Sequence, residues 1–183
     1  MVEILPGNIL IADPFLKDPN FMRSVVLLCE HQPAGSFGFV LNKAYPHVLG
    51  DLVADLEGCK LPVYYGGPVQ PGTLHFLHSC PGLISGGVKI MDDIYWGGEF
   101  EEAVSLIKQN KLSYNSIRFY IGYSGWTEGQ LDYEMEQKSW VLTSGSKQLV
   151  FHRNIDLIWK DALKQMGGEY EQLINYPIDP QLN

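Results

Sequence analysis

The run Ser24-Val25-Val26-Leu27-Leu28-Cys29-Glu30 constrains this chain more than any other stretch. Valine is stiff at χ1 and suits a pleated strand. A continuous apolar run of this length reads as a strand buried on both sides rather than a half-exposed one. His31 to Ser36, with Pro33 and Gly35, is a turn, and Phe37 to Asn42 is the returning strand. These two strands are expected to pair as a β-hairpin. No run approaches the roughly 18 apolar residues that a membrane-crossing helix needs, so no membrane association is expected.

The other elements follow from local pattern. Asn8 to Ala12 is a short strand stopped by Asp13-Pro14, and Phe15 to Arg23 is a loop. Leu49, Leu52, Val53 and Leu56 keep helical spacing, with Gly58 placed as a left-handed cap. Val63 to Tyr65 and Thr73 to His78 are short strands joined by the turn Gly66-Gly67-Pro68. Val88 to Trp96 is strand-like, interrupted by Asp92-Asp93 and ended by Gly97-Gly98. A helix over Glu99 to Gln109 places Phe100, Ala103, Val104 and Ile107 on one face. Ser116 to Tyr123 alternates, with Ile117, Phe119 and Ile121 on one face and Arg118 and Tyr120 on the other. A second helix follows Thr127, Trp140 to Thr143 is a strand, and a third helix over Asp156 to Met166 ends at Gly167-Gly168. The tail 176–183 reads as a surface arm. Strands and helices mix without βαβ alternation, which makes the fold class α+β.

Charge narrows the function. The chain has 13 basic and 21 acidic residues, a formal charge of −8. Nucleic-acid binders cluster Lys and Arg against phosphates, whereas Arg23, Arg118 and Arg153 are scattered here and no window is basic. Direct nucleic-acid binding is therefore disfavoured. Cys29, Cys59 and Cys80 form an odd set without CxxC spacing, which suits reduced thiols and a cytoplasmic setting. Cys29 should pack as a small hydrophobe. Met1 to Leu5 carries Glu3 and lacks the basic start and apolar core of a secretory signal. One domain over 1–183, with its core at about 6–167, fits the length.

Several ordered motifs carry a family resemblance. Pro6-Gly7-Asn8-Ile9-Leu10-Ile11-Ala12, Phe21 with Arg23-Ser24-Val25-Val26, and Gly38-Phe39-Val40-Leu41-Asn42 resemble the opening of the AlgH/YqgE family. Gly66-Gly67-Pro68-Val69 followed by Leu74-His75 is similar to its middle motif. Arg118-Phe119-Tyr120-Ile121-Gly122-Tyr123-Ser124-Gly125-Trp126, then Gly129-Gln130-Leu131, Glu134 and Trp140, is similar to its most distinctive stretch. The chain departs from the family at Thr127-Glu128, where a more Gly/Pro-like pair is usual. The resemblance implies a single α+β domain on a strongly bent, barrel-like mixed β-sheet with helices packed outside. It implies no catalytic residues and no cofactor, and it brings a transcriptional-regulator label that rests on genetic association.

The candidate chemistry centres on Gly122 to Gln130. Gly-Tyr-Ser-Gly-Trp lacks the second glycine of a nucleophile elbow, which counts against Ser124 as a hydrolase serine. Thr127 and Gln130 fit a capping box, and the stretch reads first as a structural turn packed by Tyr123 and Trp126. A helix start after glycines also admits an anion, although Glu128 in the first turn opposes one. His75 and His78 lie three apart on a strand, on opposite faces, and would share a metal only if the strand bent. Asp92 and Asp93 read as a solvated turn. Arg23 and Arg118 border apolar strands and must bond a carboxylate or carbonyls, with Asn42 and Glu134 as candidate partners.

Three functions remain in view, a transcriptional regulator without direct DNA contact being the third. The first is a non-catalytic regulatory protein working through protein partners. The alternative is a small-ligand or anion site, catalytic or not, lined by Gly66, Gly67, His75, Arg118, Tyr123, Ser124 and Trp126.

Overall fold

A computed structural model describes residues 3–178. The expected tail is thus described only to residue 178, where Tyr176 and Ile178 are exposed, and residues 1 and 2 of the amino-terminal stretch also lie outside it.

The hairpin forms as expected. β1 (Asn8–Ala12), β2 (Val25–Gln32) and β3 (Gly35–Val40) are antiparallel neighbours, with β10 (Trp140–Ser144) on the far side of β1. The continuous apolar run has a direct cause. Val25, Leu27 and Cys29 face one core while Val26 and Leu28 face another. A register shift between Leu28 and Glu30 bends β2, as an extra residue in one strand does.

β9 (Ile117–Thr127) organises the rest. Its carboxy-terminal half pairs with β3, and its middle pairs in parallel with β5 (Pro62–Tyr65), which also pairs with β4 (Ala44–Val48). Along its other edge lies β6 (Val69–His78), followed by β8 (Ile94–Trp96) and β7 (Val88–Met91). The strands before and after Gly66-Gly67-Pro68 therefore do not pair with each other. The glycine turn carries the chain from one edge of β9 to the other. Gly122 has φ +66°, and a Cβ at Gly66 would lie 2.4 Å from its carbonyl oxygen. Only glycines allow this bend and this close approach.

The alternation of β9 is the alternation of two cores. Ile117, Phe119 and Ile121 pack with α2 (Phe100–Lys108), while Tyr120 packs with α5 (Ile158–Met166) and α4 (Lys147–Val150). The indole of Trp159 in α5 donates to the Ala12 carbonyl at 2.9 Å and ties this helix to β1. α3 (Gln130–Glu136) covers a third core with Trp126, Leu131 and Trp140. α6 (Glu169–Leu173) follows α5. The whole is an α+β protein with a strongly curled, mostly antiparallel sheet and helices packed against it.

Three local expectations change. The helix expected from Leu49 to Leu56 is broken: α1 (Leu49–Leu52) ends at Val53, whose extended backbone (φ −119°, ψ 109°) starts a separate 3₁₀ turn at Ala54–Leu56. Val88 to Trp96 is a hairpin, not one strand, because Asp93 sits at φ +63° and reverses the chain. The capping box is half formed. Gln130 accepts from the Thr127 amide at 3.0 Å, but Thr127 still belongs to β9 and its hydroxyl also turns to Gln130. The helix is capped by Gly129 at φ +69° instead.

Candidate functional site

An open groove of about 590 Å³ is bounded by β3, β6, β8 and β9, and its lining includes Phe37, Val69, His75, Trp96 and Tyr123. Two adjacent features create it. Phe37 lies directly opposite Gly125 in the β3–β9 ladder, so the strand that faces it presents no side chain there. The aromatic rings around that gap then meet edge to face. Phe37 stands 4.8 Å from Trp96 and 5.9 Å from Tyr123, and His75 stands 5.9 Å from Tyr123. Such T-shaped contacts set the positive rim of one ring against the π-face of another. Phe39 lies beneath, 5.2 Å from His75.

A second depression of about 170 Å³ shares Gln32, Gly35, Ser36 and Thr127 with the groove and continues it past the end of the hairpin. Glu30 lines the first and Asp132 the second, and among the described residues neither is lined by Lys or Arg. Glu30 stands across the β2–β3 ladder from Phe37, beside the aromatic cluster, and Asp132 lies at the hairpin end of the track.

His75 is the polar group inside this aromatic setting. Its Nε2 lies 3.0 Å from the Thr73 hydroxyl, and burial holds its pKa below the usual imidazole value. Ser36 and His31 share a hydrogen bond of 2.7 Å from directly opposite positions of the hairpin. Among the described residues no carboxylate bonds His31. The pair lacks the third group that orients a base toward its nucleophile.

The residues singled out from the sequence divide into two sets. His75, Tyr123 and Trp126 meet at the groove. Trp126 contributes only its margin, because its indole is buried and donates to Glu134 at 2.9 Å. Ser124 is fully buried and donates to the Gly66 carbonyl at 3.1 Å. Gly66 and Gly67 form the seam against β9, where a Cβ on Gly67 would fall 2.2 Å from the Tyr123 carbonyl carbon.

Arg118 is 2% exposed and lies away from the groove. Its guanidinium donates to the carbonyls of Tyr114 and His152 and lies over the Tyr64 and Phe151 rings. Carbonyls rather than a carboxylate bond its Nε and Nη2, and its Nη1 is buried without a partner among the described residues. Glu134 is not its partner but the acceptor of both Trp126 and Trp140. Arg23 lies 4.3 Å over the Trp159 ring and donates to the Tyr176 carbonyl. Asn42 bonds the Arg23 main chain rather than its side chain.

The remaining candidates are accounted for locally. His78 faces away from His75 and bonds the Gly97 carbonyl at 2.9 Å. Asp92 pairs with Lys89 at 2.9 Å on an exposed turn. Cys29 is buried in the first core, and burial pushes its thiol pKa up. Among the described residues no group of three or more His, Cys, Asp and Glu is arranged to hold a metal ion. Among them, too, no helix is long and apolar enough to cross a membrane.

Phe37 and Trp96 were not singled out by sequence reasoning, and Gly125 stood out only as part of the Gly122–Gln130 turn, not as the residue facing Phe37. Their importance lies in the register of β3 on β9 and of β8 on β6, which no local pattern carries.

The architecture defines a class, an α+β protein on a curled sheet with an aromatic groove at the β3–β9 junction. Residues 9–171 match a family model described as AlgH-like. A UPF0301 protein of Cytophaga hutchinsonii is 43% identical over 97% of this chain and 98% of its own length. One from Parabacteroides distasonis is 40% identical over 99% and 93%. The chain belongs to the AlgH-like family. Its fold is similar to that of the AlgH protein of Pseudomonas aeruginosa, with a TM-score of 0.73 at 23% identity over 97% of this chain and 98% of that one. It is also similar to a Corynebacterium diphtheriae protein, with a TM-score of 0.79 at 20% identity over 96% and 94%.

Proposed function

We propose that this protein is a non-catalytic interaction protein whose groove binds an extended segment of a protein partner. The segment carries an aromatic side chain with Lys or Arg close to it in sequence. The observation behind this reading is the makeup of the track: an aromatic cluster with Glu30 beside it and Asp132 further along, without a lining cation among the described residues. Aromatic side chains provide much of the energy of protein recognition, and charge complementarity selects and orients the partner. Stretches from two of the motifs that mark the family, Val69 with His75 and Tyr123 with Gly125 and Trp126, converge here. A regulator built this way acts through a protein, since an acidic rim repels phosphates.

The test is an amide NMR titration with two short, capped peptides, one holding Trp between lysines and the other between glutamates. The lysine peptide is expected to shift the amides of Phe37, His75, Trp96 and Tyr123 saturably, with a Kd on the order of 100 μM. Trp96→Ala should weaken it by about tenfold or more, with the melting transition retained. Equal, scattered shifts from both peptides, or full binding by a folded Trp96→Ala variant, would overturn the reading.

A further inference from the structure

Resting on that reading, we infer that His75 sets the specificity of the groove. Its Nδ1 accepts a hydrogen bond from an N–H or O–H on the partner's aromatic ring, so the anchor is tryptophan or tyrosine rather than phenylalanine.

The hydrogen bonds around Thr73 fix the tautomer of His75. The Thr73 hydroxyl has one proton, and it goes to the Gln70 carbonyl at 2.7 Å. Toward His75 Nε2, 3.0 Å away, that oxygen can then only accept. In a neutral imidazole one nitrogen is a donor and the other an acceptor. Nε2 therefore carries the proton, and Nδ1 carries the lone pair. Burial keeps the ring neutral at pH 7 by holding its pKa below the ordinary value.

Nδ1 has no hydrogen-bond partner among the described residues. It is also absent from the buried polar atoms left without partners, which are Arg23 Nε, Arg118 Nη1 and the Tyr120 hydroxyl, so solvent reaches it. The rings around His75 are those of Phe39, Trp96 and Tyr123. An incoming phenylalanine would strip water from Nδ1 and return nothing. An indole N–H or a phenol O–H replaces the water. A site that presents a polar group rejects the analogue lacking its partner, here by roughly ten- to a hundredfold.

The experiment uses the lysine-flanked peptide with Trp, 1-methyltryptophan or Phe at the centre, against the wild-type protein and His75→Phe. The wild type is expected to prefer Trp by about tenfold or more over both donor-free peptides. His75→Phe should erase the preference while keeping affinity for the Phe peptide. Equal binding of all three at the groove would sink the inference and leave the interaction reading standing, whereas no binding at the groove by any peptide would sink the reading itself. Should His75→Phe fail to fold, the ring nitrogens of the wild type decide. Long-range ¹H–¹⁵N spectra should show His75 Nδ1 unprotonated in the free protein, and a proton on Nδ1 would overturn the proposal.

Discussion

Glu134 offers the sharpest test of how the groove's edge is held. One of its oxygens, Oε2, accepts from the indoles of Trp126 at 2.9 Å and Trp140 at 2.8 Å. The other accepts from Gln130 Nε2 at 3.0 Å. Both indoles are almost wholly buried, at 5% and 4% exposure. Glu134→Ala leaves two buried N–H groups without an acceptor, at about 1–3 kcal/mol each. They share one oxygen, so their costs are not additive, and a total loss of about 2–4 kcal/mol is expected. Glu134→Gln keeps an oxygen for the indoles but turns its NH₂ toward the NH₂ of Gln130. Flipping Gln130 would remove its acceptor from the Thr127 amide. About 1 kcal/mol is expected for this variant, the loss of charge assistance and one poor contact. Urea unfolding followed by far-UV circular dichroism and tryptophan fluorescence measures both, provided the m-value is unchanged. A loss below about 0.5 kcal/mol in Glu134→Ala, or equal losses in the two variants, would show that the shared acceptor does not hold this edge.

Three further outcomes follow from the same structure. Gly67→Ala should destabilise by about 2 kcal/mol or more, because its Cβ would sit 2.2 Å from the Tyr123 carbonyl carbon at φ +152°; an unchanged melting temperature would refute the seam. Arg118→Ala should cost about 3–5 kcal/mol through a cavity and two stranded carbonyls, and Arg118→Met clearly less, since it refills the volume and removes a buried charge with an unpartnered Nη1. Equal urea midpoints for these two would contradict that account. Burial lowers the pKa of both His75 and His78. Above the unfolded value of about 6.5 neither state is protonated and stability is full. As pH falls below it the unfolded chain binds protons first, so stability declines until the folded pKa values are passed. His78→Gln should flatten the urea midpoint between pH 7 and 5.5, and an unaltered slope would count against the assignment.

Much of the architecture is legible locally. The valine-rich run at Val25 declares a buried strand, and Phe100, Ala103, Val104 and Ile107 declare α2. The alternation of Ile117, Arg118, Phe119 and Tyr120 declares a strand with two distinct faces, because the side-chain period of a strand is two. Errors fall where a single backbone angle overrides a pattern. Val53 is extended within helical spacing, and Asp93 is left-handed within a strand-like run. The candidate site was half legible. His75 and Tyr123 stood out by type and motif, whereas Arg118 and Ser124 stood out equally and serve the interior.

By itself, then, the sequence determined most of the elements, the family and the acidic composition. Those properties reside in composition and in patterns spanning about ten residues. The tertiary structure alone decided that Gly66 and Gly67 are a seam, that Gly125 stands opposite Phe37, and that Trp96 closes the aromatic wall. Each depends on which residue of one strand lies across from which residue of another. Alternation states only that a strand has two faces. Register, set by bends at Gly122 and at the β2 bulge and by long-range pairing, decides what those faces meet.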